Sequence, residues 1–270
     1  MSWREARSSS ATCTTGTKRP WAWTTSSGRH APWSTDRPTA HSRRYRGAFR
    51  QRTTTRRGHG PAMHQALARI GRGEPWQSVA ESLFSGQGTF GNGVAMRVAP
   101  IGAYFADDLE RAVEDAARSA VVTHAHPEAS AGAIAVAVAA AWAERLRREN
   151  VLPRPADFLD LVLPHVPPGD VQSRLRRGRD LSETAPVQTA VGVLGNGIGV
   201  SAQDTVPFVL WCAARHLDNY EEALWLTVSG LGDRDTTCAI VGGIVAVYTG
   251  VEGIPPAWLH DCEPLPPLPL

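Results

Sequence analysis

The stretch SGLGDRDTTCAIVGG, residues 229–243, concentrates groups that do chemistry. Asp233 and Asp235 flank Arg234, the hydroxyls of Thr236 and Thr237 follow, and a small-residue apolar run comes next. Carboxylates at i and i+2 with a hydroxyl at i+3 can all face one hard cation if the backbone is a loop entering a helix. An all-oxygen set suits Mg²⁺ or Mn²⁺ rather than zinc. The same pattern also makes a helix N-cap, where carboxylates gain from the helix dipole. The spacing leaves both readings open. FGNGVAMR, residues 90–97, places Gly91 and Gly93 around Asn92, with Arg97 downstream. Two glycines let backbone N–H groups approach an anion and Arg97 can add charge, although a tight turn is the plainer reading. THAHPEA holds His124 and His126 two apart. That is not the i, i+4 spacing of a helical zinc pair and no Cys partner is near, so substrate contact or helix C-capping is expected.

These groups need helices to carry them. PAMHQALARIGRG has Met63, Ala66, Leu67 and Ile70 at helical spacing, and Gly71 and Gly73 end it. Pro75 opens a short helix around WQSVAESLF. The run from GQGTFGNG to residue 108 reads as loop. Asp107 and Asp108 then cap DDLERAVEDAARSAVVTH, whose Leu109, Ala112, Val113, Ala116, Ala120 and Val121 share a face. Ala129 to Arg148 is a helix with a nearly continuous apolar first half and a charged end, which places it centrally. Residues 151–170 read as loop plus a short helix, VQSRLRRGRDL as a basic amphipathic piece, and GNGIGVSAQDT (195–205) as a second Gly-rich loop. VPFVLWCAARHL and NYEEALWLTVSG are two helices joined near Asp218, DTTCAIVGGIVAVYTG is the last strong one, and a Pro-rich tail starts at Gly253. No period-two pattern is sustained, so an all-α domain is expected.

The bulk numbers set the frame. A chain of 270 residues at 42% hydrophobic content can bury a real core. The net charge of +2 gives no argument for nucleic acid or membrane. Four Cys without a CxxC pair fit a reduced, cytoplasmic setting. Met1 to Ser10 lacks the apolar core of a secretory signal, and Ala129–Trp142 reads as too short to span a bilayer. Charge is split along the chain. Residues 1–60 carry thirteen Lys or Arg against two acids, Glu5 and Asp36, and no Leu, Ile or Val occurs before Leu67. Residues 1–60 therefore read as a basic, disordered segment and residues 61–270 as the folded domain.

The runs SGQGTFGNGVAMRVAPIGAYFADD, VVTHAHPEA, GNGIGVSAQDTVPFVLW and SGLGDRDTTCAIVGGIVA, in this order and spacing, resemble the ADP-ribosylglycohydrolase family from about Pro61 to Leu259. The resemblance implies one all-α, multi-helix domain whose cleft holds two Mg²⁺ or Mn²⁺ ions. It implies hydrolysis of the bond between the anomeric ribose carbon of ADP-ribose and an acceptor, often an arginine side chain. By position, Asp233, Asp235 and Thr236 match metal ligands. Thr89, Phe90, Gly91, Asn92 and Gly93 match a loop cradling the diphosphate. Met96 and Arg97 match the loop-to-helix residues, and His124 a residue near ADP-ribose. The expected partner is ADP-ribose or an ADP-ribosylated protein, bound by a monomer.

The sequence departs from the family pattern at its start. The family carries a GDxxG segment near its start and a TDD(T) metal motif tens of residues later, and neither is present. Half of the dimetal site, and with it the candidate general base, is therefore missing from view. RTTTRRGHGPA (52–62) sits where the family has a DYDxARGYGPA-like run. Read one base out of register, its Thr codons can give Asp and Tyr, and its Arg codons Ala. A GC-rich gene misread upstream of about Gly58 would produce the excess of Arg and Thr and the absence of aliphatic residues. The competing reading is a genuine basic arm that binds nucleic acid. An inactive family member that binds ADP-ribose or serves a structural role is the alternative to a working hydrolase.

Overall fold

The computed structural model describes residues 60–262. The expectations for residues 1–59, whether basic arm or altered frame, lie outside the described residues. Among the described residues twelve α-helices follow in order: α1 (Pro61–Gly71), α2 (Trp76–Gly86), α3 (Ala99–Tyr104), α4 (Leu109–Val121), α5 (Pro127–Glu149), α6 (Pro155–Val162), α7 (Asp170–Asp180), α8 (Val187–Leu194), α9 (Ala202–Arg215), α10 (Tyr220–Ser229), α11 (Arg234–Thr249) and α12 (Pro256–His260). Among the described residues there is no β-strand, only an isolated antiparallel bridge between Gly91 and Ser201. The all-α expectation holds.

Helix α5 is the axle. Every residue from Ala131 to Ala141 is buried, and α3, α4, α6, α9 and α11 pack around it. Its alanines allow this, because a ring of small side chains lets neighbouring backbones come close while each still removes apolar surface from water. Gly102 on α3 shows the limit: a Cβ there would overlap the Ala137 carbonyl oxygen of α5. At 23 residues α5 is long and apolar enough to cross a membrane, contrary to the shorter span expected from Ala129–Trp142. Most of that apolar window is nevertheless buried by the other helices, as in the core helix of a folded domain. Phe158, Leu159, Leu175, Leu194, Phe208, Leu210 and Ile244 fill the space around it. Helices α1 and α2 form a separate small cluster with Ala66, Val79 and Leu83 at its centre.

Four elements were not legible in the pattern. The span from Asn92 to Phe105, expected as loop, contains a 3₁₀ segment (Asn92–Arg97) and α3. Both are too short to show periodicity, and Pro100 at the start of α3 reads equally as a breaker. Helix α8 (VQTAVGVL) has only two turns, and α12 sits inside the Pro-rich tail. Asp108 caps α4 as expected, accepting from the Arg111 N–H at 3.0 Å, while Asp107 pairs instead with Arg148 on α5.

Candidate active site

Three loops meet at one end of α5. The first precedes the 3₁₀ segment and holds Thr89 to Gly93. The second, Gly195–Ser201, leads into α9, and the third, Gly230–Asp233, leads into α11. Backbone pairing joins the first two, since the Ala202 N–H donates to the Phe90 carbonyl at 2.8 Å beside the Gly91–Ser201 bridge. The second and third are tied through Asn196. Its carbonyl accepts from the Asp233 N–H at 3.2 Å, and its side-chain amide donates to the Gly230 carbonyl at 2.9 Å. Gly197 (φ +86°) and Gly232 (φ +68°) take left-handed conformations at this junction, where a side chain would meet Asp233 or Asn196.

One side chain joins all three. Asn92, 4% exposed, donates through Nδ2 to Asp233 Oδ2 at 3.0 Å and to Thr205 Oγ1 on α9, also at 3.0 Å. This separates the two readings of GDRDTT. Asp233 occupies the N-cap position of α11 but makes no side-chain capping bond; its carboxylate is turned toward Asn92. Asp235 lies in the first turn, exposed, close enough to hydrogen-bond the Asp233 carboxyl. That contact, with the N–H groups of Asp235 and Thr236, holds Asp235 below the usual carboxylate range. Thr236 is buried beside them.

The other expected residues divide. Thr89 braces the loop from within, its Oγ1 accepting from the Gly91 N–H at 3.1 Å. The Phe90 ring lies between Phe84, at 6.2 Å, and the edge of His126, at 5.4 Å. His124, 8% exposed, sits under the loop: a Cβ on Gly91 would lie 3.1 Å from its Nε2, and one on Gly93 3.5 Å. Burial and, second, the charge of Arg97 push His124 down to about 4, so the ring is neutral at physiological pH. His126 caps the N-terminus of α5, its Nδ1 accepting from the Glu128 N–H at 3.1 Å, rather than the C-terminus of α4. Arg97 turns away from the glycines and binds the end of α4 through Ser119 and Thr123. Met96 is 44% exposed. Thr205, Asn196 and Thr123 were not singled out in the sequence. The visible signal for Asn196 was the second Gly-Asn-Gly, which repeats the first.

The oxygen set of Asp233, Asp235 and Thr236 fits a hard divalent cation: two adjoining carboxylates and a hydroxyl, with one carboxylate already oriented by a neutral amide. Among the described residues no group of three or more His, Cys, Asp or Glu gathers around them.

A match to the ADP-ribosylglycohydrolase family spans residues 18–268. The chain belongs to that family. As an ADP-ribosylglycohydrolase relative it is 30% identical over 214 residues to the mouse (Mus musculus) ADP-ribosylhydrolase ARH3, covering 68% of this chain and 56% of that protein. The human (Homo sapiens) ADP-ribosylhydrolase ARH3 gives 30% identity, with 68% and 57% covered. An uncharacterized protein of Archaeoglobus fulgidus is 35% identical over 217 residues, with 78% and 64% covered. The chain thus spans a little over half the length of the ARH3 relatives it matches. The family match reaches upstream of Pro61, into the segment whose composition set it apart.

Proposed function

We propose that the chain is a divalent-metal-assisted hydrolase that removes ADP-ribose from a modified protein side chain or a small ADP-ribosylated acceptor. The observation that carries this reading is the Asn92–Asp233 hydrogen bond. It takes Asp233 out of the capping role and turns its carboxylate toward the first glycine loop, in a chain of this family. The glycine loop and the opening of the 3₁₀ segment offer backbone N–H groups where a diphosphate would bind, supplying remote binding energy that positions the ribose. Asn92 fixes the Asp233 carboxylate while its second donor bond holds α9 in place. His124, neutral, adds a hydrogen-bonding nitrogen beneath the same loop. Asp233, Asp235 and Thr236 would hold one Mg²⁺ or Mn²⁺, which when bound orients ribose hydroxyls and activates water for attack at the anomeric carbon. A cytoplasmic setting and a monomer belong to this proposal.

A second reading is an ADP-ribose-binding relative without turnover. It is favoured by the small ligand set among the described residues. The purified full chain, incubated with an ADP-ribosyl-arginine peptide and Mn²⁺ or Mg²⁺, separates the two. Release of free ADP-ribose that stops on chelation supports the hydrolase. Binding of ADP-ribose without release supports the second reading, and failure to bind ADP-ribose removes both.

A further inference from the structure

The region around His124 contains a relay that the hydrolase reading does not use. Arg97 Nη2 donates to Thr123 Oγ1 at 2.8 Å, and the same hydroxyl lies 2.8 Å from His124 Nδ1. Arg97 is anchored for this by two further bonds, Nε to Ser119 Oγ at 3.2 Å and Nη2 to the Ser119 carbonyl at 2.6 Å. A guanidinium only donates, so one lone pair of the Thr123 oxygen is taken by Arg97. The hydroxyl proton then needs an acceptor. Among the described residues the only neighbour able to accept it is His124 Nδ1. Donation from Thr123 to Nδ1 keeps the hydroxyl proton within the relay, and in that arrangement the proton of the neutral ring is on Nε2.

Nε2 makes no hydrogen bond among the described residues, and His124 as a whole is 8% exposed. It is aimed at Gly91 and Gly93, the two residues whose missing side chains leave room for it. The opposite tautomer would turn a lone pair toward the loop and repel an oxyanion there.

We infer that Arg97 is a positioning residue: acting through Thr123, it fixes the His124 tautomer so that Nε2–H is presented to a phosphate or sugar oxygen held in the glycine loop. Arg97 contributes by orienting a neutral donor, and its own charge stays on the α4 side of the ring. The tautomer stands on the geometry of the chain alone. The identity of the ligand as ADP-ribose rests on the proposed function.

The test is long-range ¹H–¹⁵N correlation of the imidazoles in the ¹⁵N-labelled full chain at neutral pH. His124 is identified among the nine histidines by its absence in His124→Gln. Wild type and Thr123→Ser are expected to show the Nε2–H form, and Thr123→Val and Arg97→Gln a mixture. ADP-ribose affinity should fall roughly tenfold in Thr123→Val and recover in Thr123→Ser, as for loss of one charge-assisted hydrogen bond. A wild-type His124 protonated on Nδ1, or a Thr123→Val spectrum identical to wild type, overturns the inference. The wild-type spectrum requires no variant to fold. Wild type that shows the Nε2–H form yet does not bind ADP-ribose leaves the tautomer standing and removes the functional reading instead.

Discussion

Asn92 is the residue on which the three loops depend. Its two donor bonds reach residues 113 and 141 positions away, to a fully buried Thr205 and a half-buried Asp233. Truncation leaves the Thr205 hydroxyl and the Asp233 carboxylate without that donor. Asn92→Ala is expected to cost about 1–3 kcal/mol in chemical unfolding. Because it frees Asp233, it should also weaken Mn²⁺ binding, read as free Mn²⁺ by electron paramagnetic resonance. Asn92→Asp, which sets a carboxylate against a carboxylate, should weaken it further. His124 makes a second prediction. Its folded-state pKa, lowered to about 4 by burial and then by Arg97, lies below the ordinary value of 6.5. The unfolded chain therefore takes up this proton first as pH falls. Stability contributed by the neutral ring is complete above pH 6.5 and is lost progressively between 6.5 and 4, by on the order of 3 kcal/mol. His124→Gln should flatten that part of the stability profile in urea titrations. At this scale the sequence displayed residue types but not partners. Asp233 as cap and Asp233 as ligand have the same spelling, and the bond to Asn92 comes from a loop 141 residues earlier.

Glycine sets how close the helices and loops approach. Gly102 allows α3 to lie directly on the α5 backbone, and Gly197 allows the second loop to lie against Asp233. The two substitutions should therefore fail differently. Gly102→Ala forces α3 off α5 and should destabilise the fold by about 1–3 kcal/mol or more, read as a lowered Tm. Gly197→Ala introduces a Cβ at φ +86°, 2.9 Å from that of Asp233, and should weaken Mn²⁺ and ADP-ribose binding as well. Long helices such as α5 and α11 were legible because burial on one or all sides leaves a periodic or continuous apolar run over four or more turns. The 3₁₀ segment, α3, α8 and α12 were not, because one or two turns hold too few buried positions to mark a period.

For the whole molecule, the site lies where α5, α9 and α11 converge, so binding there should be coupled to global stability. A cation bound only by the folded state at a hundred times its Kd adds about 2.7 kcal/mol. Mn²⁺ is expected to raise the Tm of the full chain, chelator to reverse the rise, and Asp233→Asn with Asp235→Asn to abolish it. The upstream nucleotide sequence, translated in the neighbouring frame, bears on the other half: absence of a TDD motif there would end the altered-frame reading of residues 1–58. By itself the sequence determined the helical class, the central place of α5 and the family, because these follow from apolar periodicity and from short motifs whose order along the chain is distinctive. Only the tertiary structure decided that the two Gly-Asn-Gly loops meet, that Asp233 leaves its cap for Asn92, and that Arg97 faces Thr123 rather than the glycines. Those are choices between hydrogen-bond partners of similar strength, and they are made by which backbones the packing brings within 3 Å of each other.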